Sequence, residues 1–194
     1  MADIFNKFIV DSKKDIRALS LEELKTIFIE NGDQAFRAKQ VYEWLWKKSA
    51  RSFQEMTNLS KATRELLDTH FVINAVTVDD MQVSRDRTIK NAFKLYDSNI
   101  VEGVLIPSIT RMTACISSQV GCSLTCKFCA TGKLERLRNL NADEIYDQVV
   151  LIKKQAEEKY RTPLTNIVYM GMGEPLLNYK NVMDSIVKIT SPEG

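Results

Sequence analysis

The sequence predicts an α/β protein: the βα units of a parallel barrel or a doubly wound sheet behind a small N-terminal helical domain and a β-hairpin extension. Three observations lead there. Residues 1–73 carry apolar positions at helical spacing, residues 74–110 switch to strand-like alternation, and residues 111–194 run twice through strand, loop and helix. In that last order the loops after the strands carry the chemistry.

The first helix starts at a capping box, Ser20-Leu-Glu-Glu23, places Leu24, Ile27 and Phe28 on one face and stops at Asn31-Gly32. A second helix follows from Ala35 to Lys48, with Val41, Trp44 and Leu45 inward and Arg37, Lys39, Lys47 and Lys48 around the rest. Ser52-Phe-Gln-Glu55 predicts a short helix and Ser60 the start of a longer one, whose end carries His70, a packing or helix-end residue. Val76 and Val78 then alternate with polar neighbours, and Asn91–Tyr96 and Ile100–Ile106 flank Asp97-Ser98-Asn99 as a hairpin closed by Pro107. Met112–Ser118 reads as a strand that ends before a cysteine-bearing loop. Asn141-Ala-Asp-Glu144 caps a helix with Ile145, Val149, Ile152, Ala156 and Tyr160 on one face. Asn166–Met170 is a short apolar strand, Gly171-Met-Gly-Glu-Pro175 its loop, and Asn178–Ile189 the next helix.

Composition excludes several classes of function. With 194 residues and 44% hydrophobic content the chain can bury a sizeable core, unlike a disordered protein. Its 27 basic and 25 acidic residues leave a net charge of +2, so any nucleic-acid partner must be met by local patches. Two such patches exist: Arg37, Lys39, Lys47, Lys48 and Arg51 in residues 35–51, and Lys127, Lys133, Arg136 and Arg138 in residues 127–138. The opening Met-Ala-Asp-Ile-Phe lacks the basic and apolar regions of a secretory signal, and no apolar run approaches the ~20 residues of a membrane span. A cytoplasmic protein with no membrane partner is expected. In that reducing compartment four cysteines between positions 115 and 129 point to metal binding or catalysis rather than to structural disulfides.

Three of them, Cys122, Cys126 and Cys129, form a C-x3-C-x2-C set on one loop. Three thiolates so spaced suit a 4Fe–4S cluster with one iron left open to a small molecule. Such an iron can chelate the amino and carboxylate groups of S-adenosyl-L-methionine and deliver one electron to its sulfonium, releasing a 5'-deoxyadenosyl radical. In the second loop Gly171 and Gly173 admit close backbone approach to the methionine end, and Glu174 offers its ammonium a counter-charge. Taken alone, that loop is also an ordinary strand-to-helix turn. Phe128 either packs on the cofactor or shields the cluster from water.

At these residues the sequence resembles the radical S-adenosylmethionine family, and closely its RlmN branch of ribosomal RNA adenosine methyltransferases. The resemblance is carried by Arg111-Met-Thr-Ala-Cys-Ile-Ser-Ser-Gln-Val-Gly-Cys-Ser-Leu-Thr-Cys-Lys-Phe-Cys129, by Gly171-Met-Gly-Glu-Pro-Leu-Leu-Asn178 and by Ser52-Phe-Gln-Glu-Met-Thr-Asn-Leu-Ser60. It covers nearly the whole chain and implies domains at 1–73 (helical, RNA-binding), 74–110 (hairpin extension) and 111–194 (part of a radical-SAM barrel). It further implies methylation of adenine carbon 2 in 23S ribosomal RNA, and of transfer RNA. The family methylates one of its own cysteines, abstracts hydrogen from that methyl and adds the carbon radical to the ring. Cys115 matches the cysteine that resolves the protein–RNA crosslink through a transient disulfide with the methyl carrier, and Glu102 matches the proton acceptor. Without the resemblance, Cys115 reads as a buried strand thiol or a fourth metal ligand and Glu102 as an outward surface charge.

The resemblance also implies an electron donor such as flavodoxin. The methyl-carrying cysteine has no counterpart in the sequence, which reaches Ser191-Pro-Glu-Gly194, so the chain looks like an N-terminal portion unable to complete methyl transfer. Two other readings stand beside this one. Attack at carbon 8 of the same adenosine is the resistance-conferring variant, and a zinc-stabilised RNA-binding module would use Cys115, Cys122, Cys126 and Cys129 as an all-cysteine metal site.

Overall fold

The computed structural model describes residues 13–191, and the opening segment from which a cytoplasmic location is read lies outside them. The chain divides into two compact units, residues 13–74 with Ser191 and residues 75–190.

The first unit is helical around a short parallel pair. Strand β1 (Lys14–Asp15) lies beside β2 (Phe71–Val72), and between them run α1 (Leu21–Glu30), α2 (Phe36–Trp46) and α3 (Lys61–His70), with a short turn of 3-10 helix at Phe53–Glu55. The expected capping box is formed: the Ser20 N–H donates to Glu23 at 2.7 Å, and the Glu23 N–H donates to the Ser20 hydroxyl at 3.2 Å. Ser60 caps α3 in the same way, accepting from the Thr63 N–H at 3.1 Å. Leu24, Phe28, Val41, Leu45, Trp46, Phe53, Met56, Leu67 and Phe71 fill the core. Asp15 ties the unit's ends together, pairing with buried Arg17 at 3.1 Å and accepting from the Asn74 N–H at 2.9 Å.

The second unit is a five-stranded sheet covered on one face by helices. Its strands are β3 (Thr77–Val83), β4 (Ile89–Lys94), β5 (Ile100–Pro107), β6 (Met112–Cys115) and β9 (Asn166–Val168), in that spatial order. The first four pair antiparallel and β6 pairs β9 in parallel, so β3 to β5 continue into the sheet that carries the cysteine loop. A separate two-stranded ladder, β7 (Gln119–Val120) with β8 (Arg138–Asn139), closes the neck of that loop. Helix α4 (Ala142–Tyr160) provides the crossover between β6 and β9, and α5 (Tyr179–Thr190) follows β9.

Burial alternates along β4, β5 and β6, whereas β3 is exposed throughout, so the alternation expected about Val78 does not bury a face there. Ile89, Phe93, Val101, Leu105, Met112 and Ala114 join Ile145, Val149, Ile152 and Ala156 of α4 in one core. Within this core Asn91 and Gln155 exchange hydrogen bonds at 3.0 and 2.6 Å, which satisfies two amides that would be costly to bury unpaired. The opposite face of the sheet is covered by neither α4 nor α5, and it presents Lys90, Glu102, Val104, Thr113 and Cys115. Two strands are shorter than the sequence pattern predicts: β6 ends at Cys115 rather than Ser118, and β9 at Val168 rather than Met170. The Ile116 N–H still donates to the Val168 carbonyl of β9, but from the Ile116 carbonyl onward the backbone bonds to the loop after β9 and to Gln148 of α4 and leaves the ladder.

Candidate active site

Two loops leave the C-terminal ends of the parallel neighbours β6 and β9. The loop after β9 is fixed in detail. Its Gly171 N–H donates to the Ile116 carbonyl at 3.0 Å, and the Met172 carbonyl accepts from the Ser118 and Gln119 N–H groups at 2.9 and 3.2 Å. Buried Ser117 accepts from the Met172 N–H at 2.8 Å while its hydroxyl donates to the Glu102 carbonyl at 2.6 Å. Gln119 accepts from the Glu174 N–H at 2.9 Å and donates to Asn139 at 2.7 Å. Below these, Gln148 of α4 accepts from the Ser117 N–H at 2.9 Å, and the Asn178 amide donates to the Ser118 and Leu140 carbonyls, each at 2.8 Å.

Only glycine fits at two positions of this loop. A Cβ on Gly171 would stand 2.7 Å from the Ile116 carbonyl carbon, and one on Gly173 would stand 2.5 Å from the Gln119 Cβ at a backbone φ of +93°. The half-buried Glu174 caps the following turn, its Oε1 accepting from the Leu176 N–H at 3.0 Å. Its second carboxylate oxygen is open to a cation.

The cysteine loop, residues 121–137, is held mainly at its neck. There the Leu137 N–H donates to the Val120 carbonyl at 2.9 Å, and Gly121, at φ +73°, packs so close to the opposite strand that a Cβ would lie 1.9 Å from the Glu135 carbonyl. Its tip makes only local contacts. The Leu124 N–H donates to the Cys122 sulfur at 3.4 Å and the Cys129 N–H to the Cys126 carbonyl at 3.0 Å. The Gly132 N–H lowers the pKa of Cys129, opposed by desolvation and assisted by Thr131, which favours the thiolate form that ligates metal. Phe128 is 95% exposed and therefore shields no sulfur from water within the chain.

The uncovered sheet face unites the remaining two candidates. Cys115 lies directly opposite Val104, two residues along β5 from Glu102, so their side chains emerge on the same face. Burial pushes the Cys115 thiol up, an effect partly offset by the Met170 N–H. Glu102 forms an ion pair with Lys90 of β4 at 2.6 Å, a partner that sequence reading missed although the alternation along β4 places Lys90 on this face. Ser117, Gln119, Gln148 and Asn178 were missed as well. Ser117, Gln119 and Asn178 stand inside the motif segments, but nothing local shows which partner each will find.

Comparison with known proteins fits this geometry. Residues 14–73 match the ribosomal RNA large subunit methyltransferase N-terminal domain and residues 116–191 match the radical SAM superfamily. A probable dual-specificity RNA methyltransferase RlmN from Cytophaga hutchinsonii is 69% identical over 182 residues, which are 94% of this chain and 50% of that protein. The chain carries an RlmN-type N-terminal domain and a radical SAM domain. A dual-specificity RNA methyltransferase RlmN from Geotalea uraniireducens is 45% identical over 94% of this chain and 51% of its own length. The crystal structure of a radical SAM methyltransferase from Sphaerobacter thermophilus matches with a TM-score of 0.81 at 36% identity, over 93% of this chain and 53% of that one. The chain thus spans about half the length of the RlmN relatives it matches.

Radical SAM membership implies a 4Fe–4S cluster and S-adenosyl-L-methionine as cofactors. The residues fit both. Three free thiols share one solvent-open loop, and the glycines after β9 let that loop pack directly on Ile116 and Gln119, which sets half-buried Glu174 beside the cysteine loop's entry strand. Among the described residues, no three His, Cys, Asp or Glu side chains stand together closely enough to hold a metal ion. The candidate donors lie within eight residues of one loop. All four cysteines are free thiols. Arg138, counted in the second basic patch, turns inward to acidic partners, and that patch keeps Lys127, Lys133 and Arg136 exposed. Among the described residues no helix is long and apolar enough to cross a membrane.

Proposed function

We propose that this chain carries the cofactor-binding part of a radical S-adenosylmethionine enzyme that methylates carbon 2 of an adenosine in 23S ribosomal RNA, and of transfer RNA, through a methyl-cysteine intermediate. The observation that supports this reading most is the joining of the two loops. Ser117 and Gln119, which lead into the cysteine loop, hydrogen-bond to Met172 and Glu174 of the Gly-Met-Gly-Glu-Pro loop, so the two halves of one cofactor site are held together.

In this reading Cys122, Cys126 and Cys129 supply the three thiolates. The bound cluster contributes one-electron reduction of the S-adenosylmethionine sulfonium, with electrons from a donor such as flavodoxin. Gly171 and Gly173 let their loop pack against Ile116 and Gln119 and so position Glu174, whose open oxygen pairs the ammonium of the methionine end, and Phe128, exposed at the tip, covers the cofactor from the solvent side. On the uncovered sheet face Glu102, beside Lys90, takes up the proton released from adenine. Cys115 breaks the protein–RNA crosslink by forming a disulfide with the methyl-carrying cysteine, and its raised pKa means that it must lose a proton to do so. Lys39, Lys47 and Lys48 of the helical unit contact RNA phosphates. Trp44 is not a free stacking platform: Lys48 lies 3.8 Å over its ring and its indole N–H donates to Asn58. Arg37 is likewise engaged, with Asp33 at 2.8 Å.

The sequence holds four cysteines, three assigned to the cluster and one to resolution, so the methyl carrier has no counterpart among them. The chain by itself is expected to bind cluster and cofactor without methylating RNA. Anaerobic reconstitution tests the core of the proposal. A brown protein containing iron and sulfide, whose cluster electron paramagnetic resonance signal changes when S-adenosylmethionine is added, is expected, and Cys→Ser at position 122, 126 or 129 should abolish it. A colourless protein with stoichiometric zinc would sink it in favour of the zinc-stabilised module. Chromatographic co-elution, with mass detection, of adenosine modified by a longer form of the enzyme against authentic 2-methyladenosine and 8-methyladenosine decides carbon 2 against carbon 8.

A further inference from the structure

Arg138 has no part in the scheme above, yet it is the most heavily engaged side chain near the cysteine loop. It sits on β8 directly opposite Val120, at the exit of the loop. Its guanidinium donates through Nη1 and Nη2 to the two carboxylate oxygens of Glu144, at 2.7 and 2.8 Å, and through Nε to Asp97 at 2.6 Å. Nη1 also reaches the Asn139 carbonyl at 3.2 Å, and the guanidinium carbon lies 5.0 Å from the centre of the Tyr96 ring.

These partners belong to two elements that are secured without Arg138. Asp97 stands in the turn between β4 and β5, which has its own ladder, and Glu144 reaches back to the Asn141 N–H at 2.9 Å to cap α4. The neck of the cysteine loop has two paired residues on each side, backbone bonds from Leu137 and Leu140 to Val120 and Ser118, and amide contacts at Asn139 and Leu140. Among the described residues it has no ion pair other than those of Arg138, and beyond it the tip makes only local contacts. The Glu144 side chain is 1% exposed, so a cation must face it, and the one that does so carries the loop's exit strand with it. The guanidinium is thus a peg driven from the neck into the hairpin turn and the start of α4.

We propose that Arg138 is a positioning residue for the cysteine loop, pinning its exit strand so that the two ends of the loop stay fixed when its three thiols gather on a cluster. This rests on the cluster reading above. It ascribes to Arg138 no contact with cluster or substrate.

The test uses the double variant R138M/E144Q, which leaves no buried charge unpaired and keeps a capping side chain on α4. Two readouts compare it with the parent chain. In the apo form, trypsin cleavage after exposed Lys127, Lys133 and Arg136 is expected to accelerate by about fivefold or more while circular dichroism stays unchanged. After anaerobic reconstitution, iron lost to a chelator is expected to rise by a similar factor, with R138K in the E144 background restoring part of the retention. Unchanged cleavage and unchanged iron retention would overturn the proposal. So would loss of helical circular dichroism, because Arg138 would then hold the fold rather than the loop. A parent chain that takes up no iron would defeat the cluster reading alone, and the cleavage comparison would still decide whether Arg138 clamps the loop.

Discussion

The loop after β9 and the loop after β6 end neighbouring parallel strands, but the fold holds them in different ways. Residues 171–175 are laid against Ile116–Gln119 by backbone and buried side-chain hydrogen bonds, and their glycines admit no Cβ. Residues 121–137 are fastened at the neck and expose Cys126 and Phe128 at the tip. The contrast matches the two tasks. A loop that recognises a small molecule gains from being formed before binding, because the ordering entropy is spent at folding. A loop whose thiols must converge on a cluster needs freedom at the tip, since metal binding itself supplies the energy that shapes the site.

Four measurements break or sharpen this comparison. Gly173→Ala should cost the apo chain about 2–4 kcal/mol, combining left-handed strain with a clash against Gln119, whereas Gly132→Ala in the other loop, near the Leu124 carbonyl at 2.9 Å, should cost under about 1 kcal/mol. Denaturant melts of the two variants check this, and equal losses would erase the distinction. Ser117→Ala removes the hydroxyl that serves both Met172 and Glu102, and should destabilise by about 1–3 kcal/mol in the same assay. Thiol alkylation by iodoacetamide at pH 8 should proceed about tenfold more slowly at half-buried Cys115, with its raised pKa, than at the loop cysteines, as read by peptide mass spectrometry. The smallest effect is on acid stability. Partial burial pushes Asp97 up, but hydrogen bonds from Arg138 and Asn99 more than reverse this and hold it at about 2. A depressed carboxylate stabilises the fold above its unfolded pKa and loses that contribution as pH falls. The parent should therefore lose on the order of 1 kcal/mol between about pH 4 and pH 2, and Asp97→Asn should lose none of it.

Much of this was legible because the determinants are local. The Ser20/Glu23 box and the Asn141/Glu144 cap each lie within one helical turn, so sequence order and spatial order coincide. The hairpin about Asp97-Ser98-Asn99 and the two loop motifs were legible for the same reason. Strand ends were not. Met112–Ser118 is apolar enough to read as strand throughout, and only the competing claim of Gly171 and Met172 on Ile116, Ser117 and Ser118 takes the backbone out of the ladder. Phe128, beside the last thiol in sequence, is 95% exposed, so any packing it makes there is with a bound group and not with the chain's own core.

The sequence by itself determined the helical unit, the βα order after it and which residues, Cys122, Cys126, Cys129 and Glu174, are proposed as donors, since residue type and short-range spacing specify all of these. Only the tertiary structure decided that Glu102, Cys115 and Lys90 share one sheet face, that Ser117 and Gln119 join the two loops, and that Arg138 bridges Asp97 and Glu144. Each of those contacts depends on strand register and on how helices pack over the sheet. Register is set by the summed burial of a whole face, which no single segment of the chain contains.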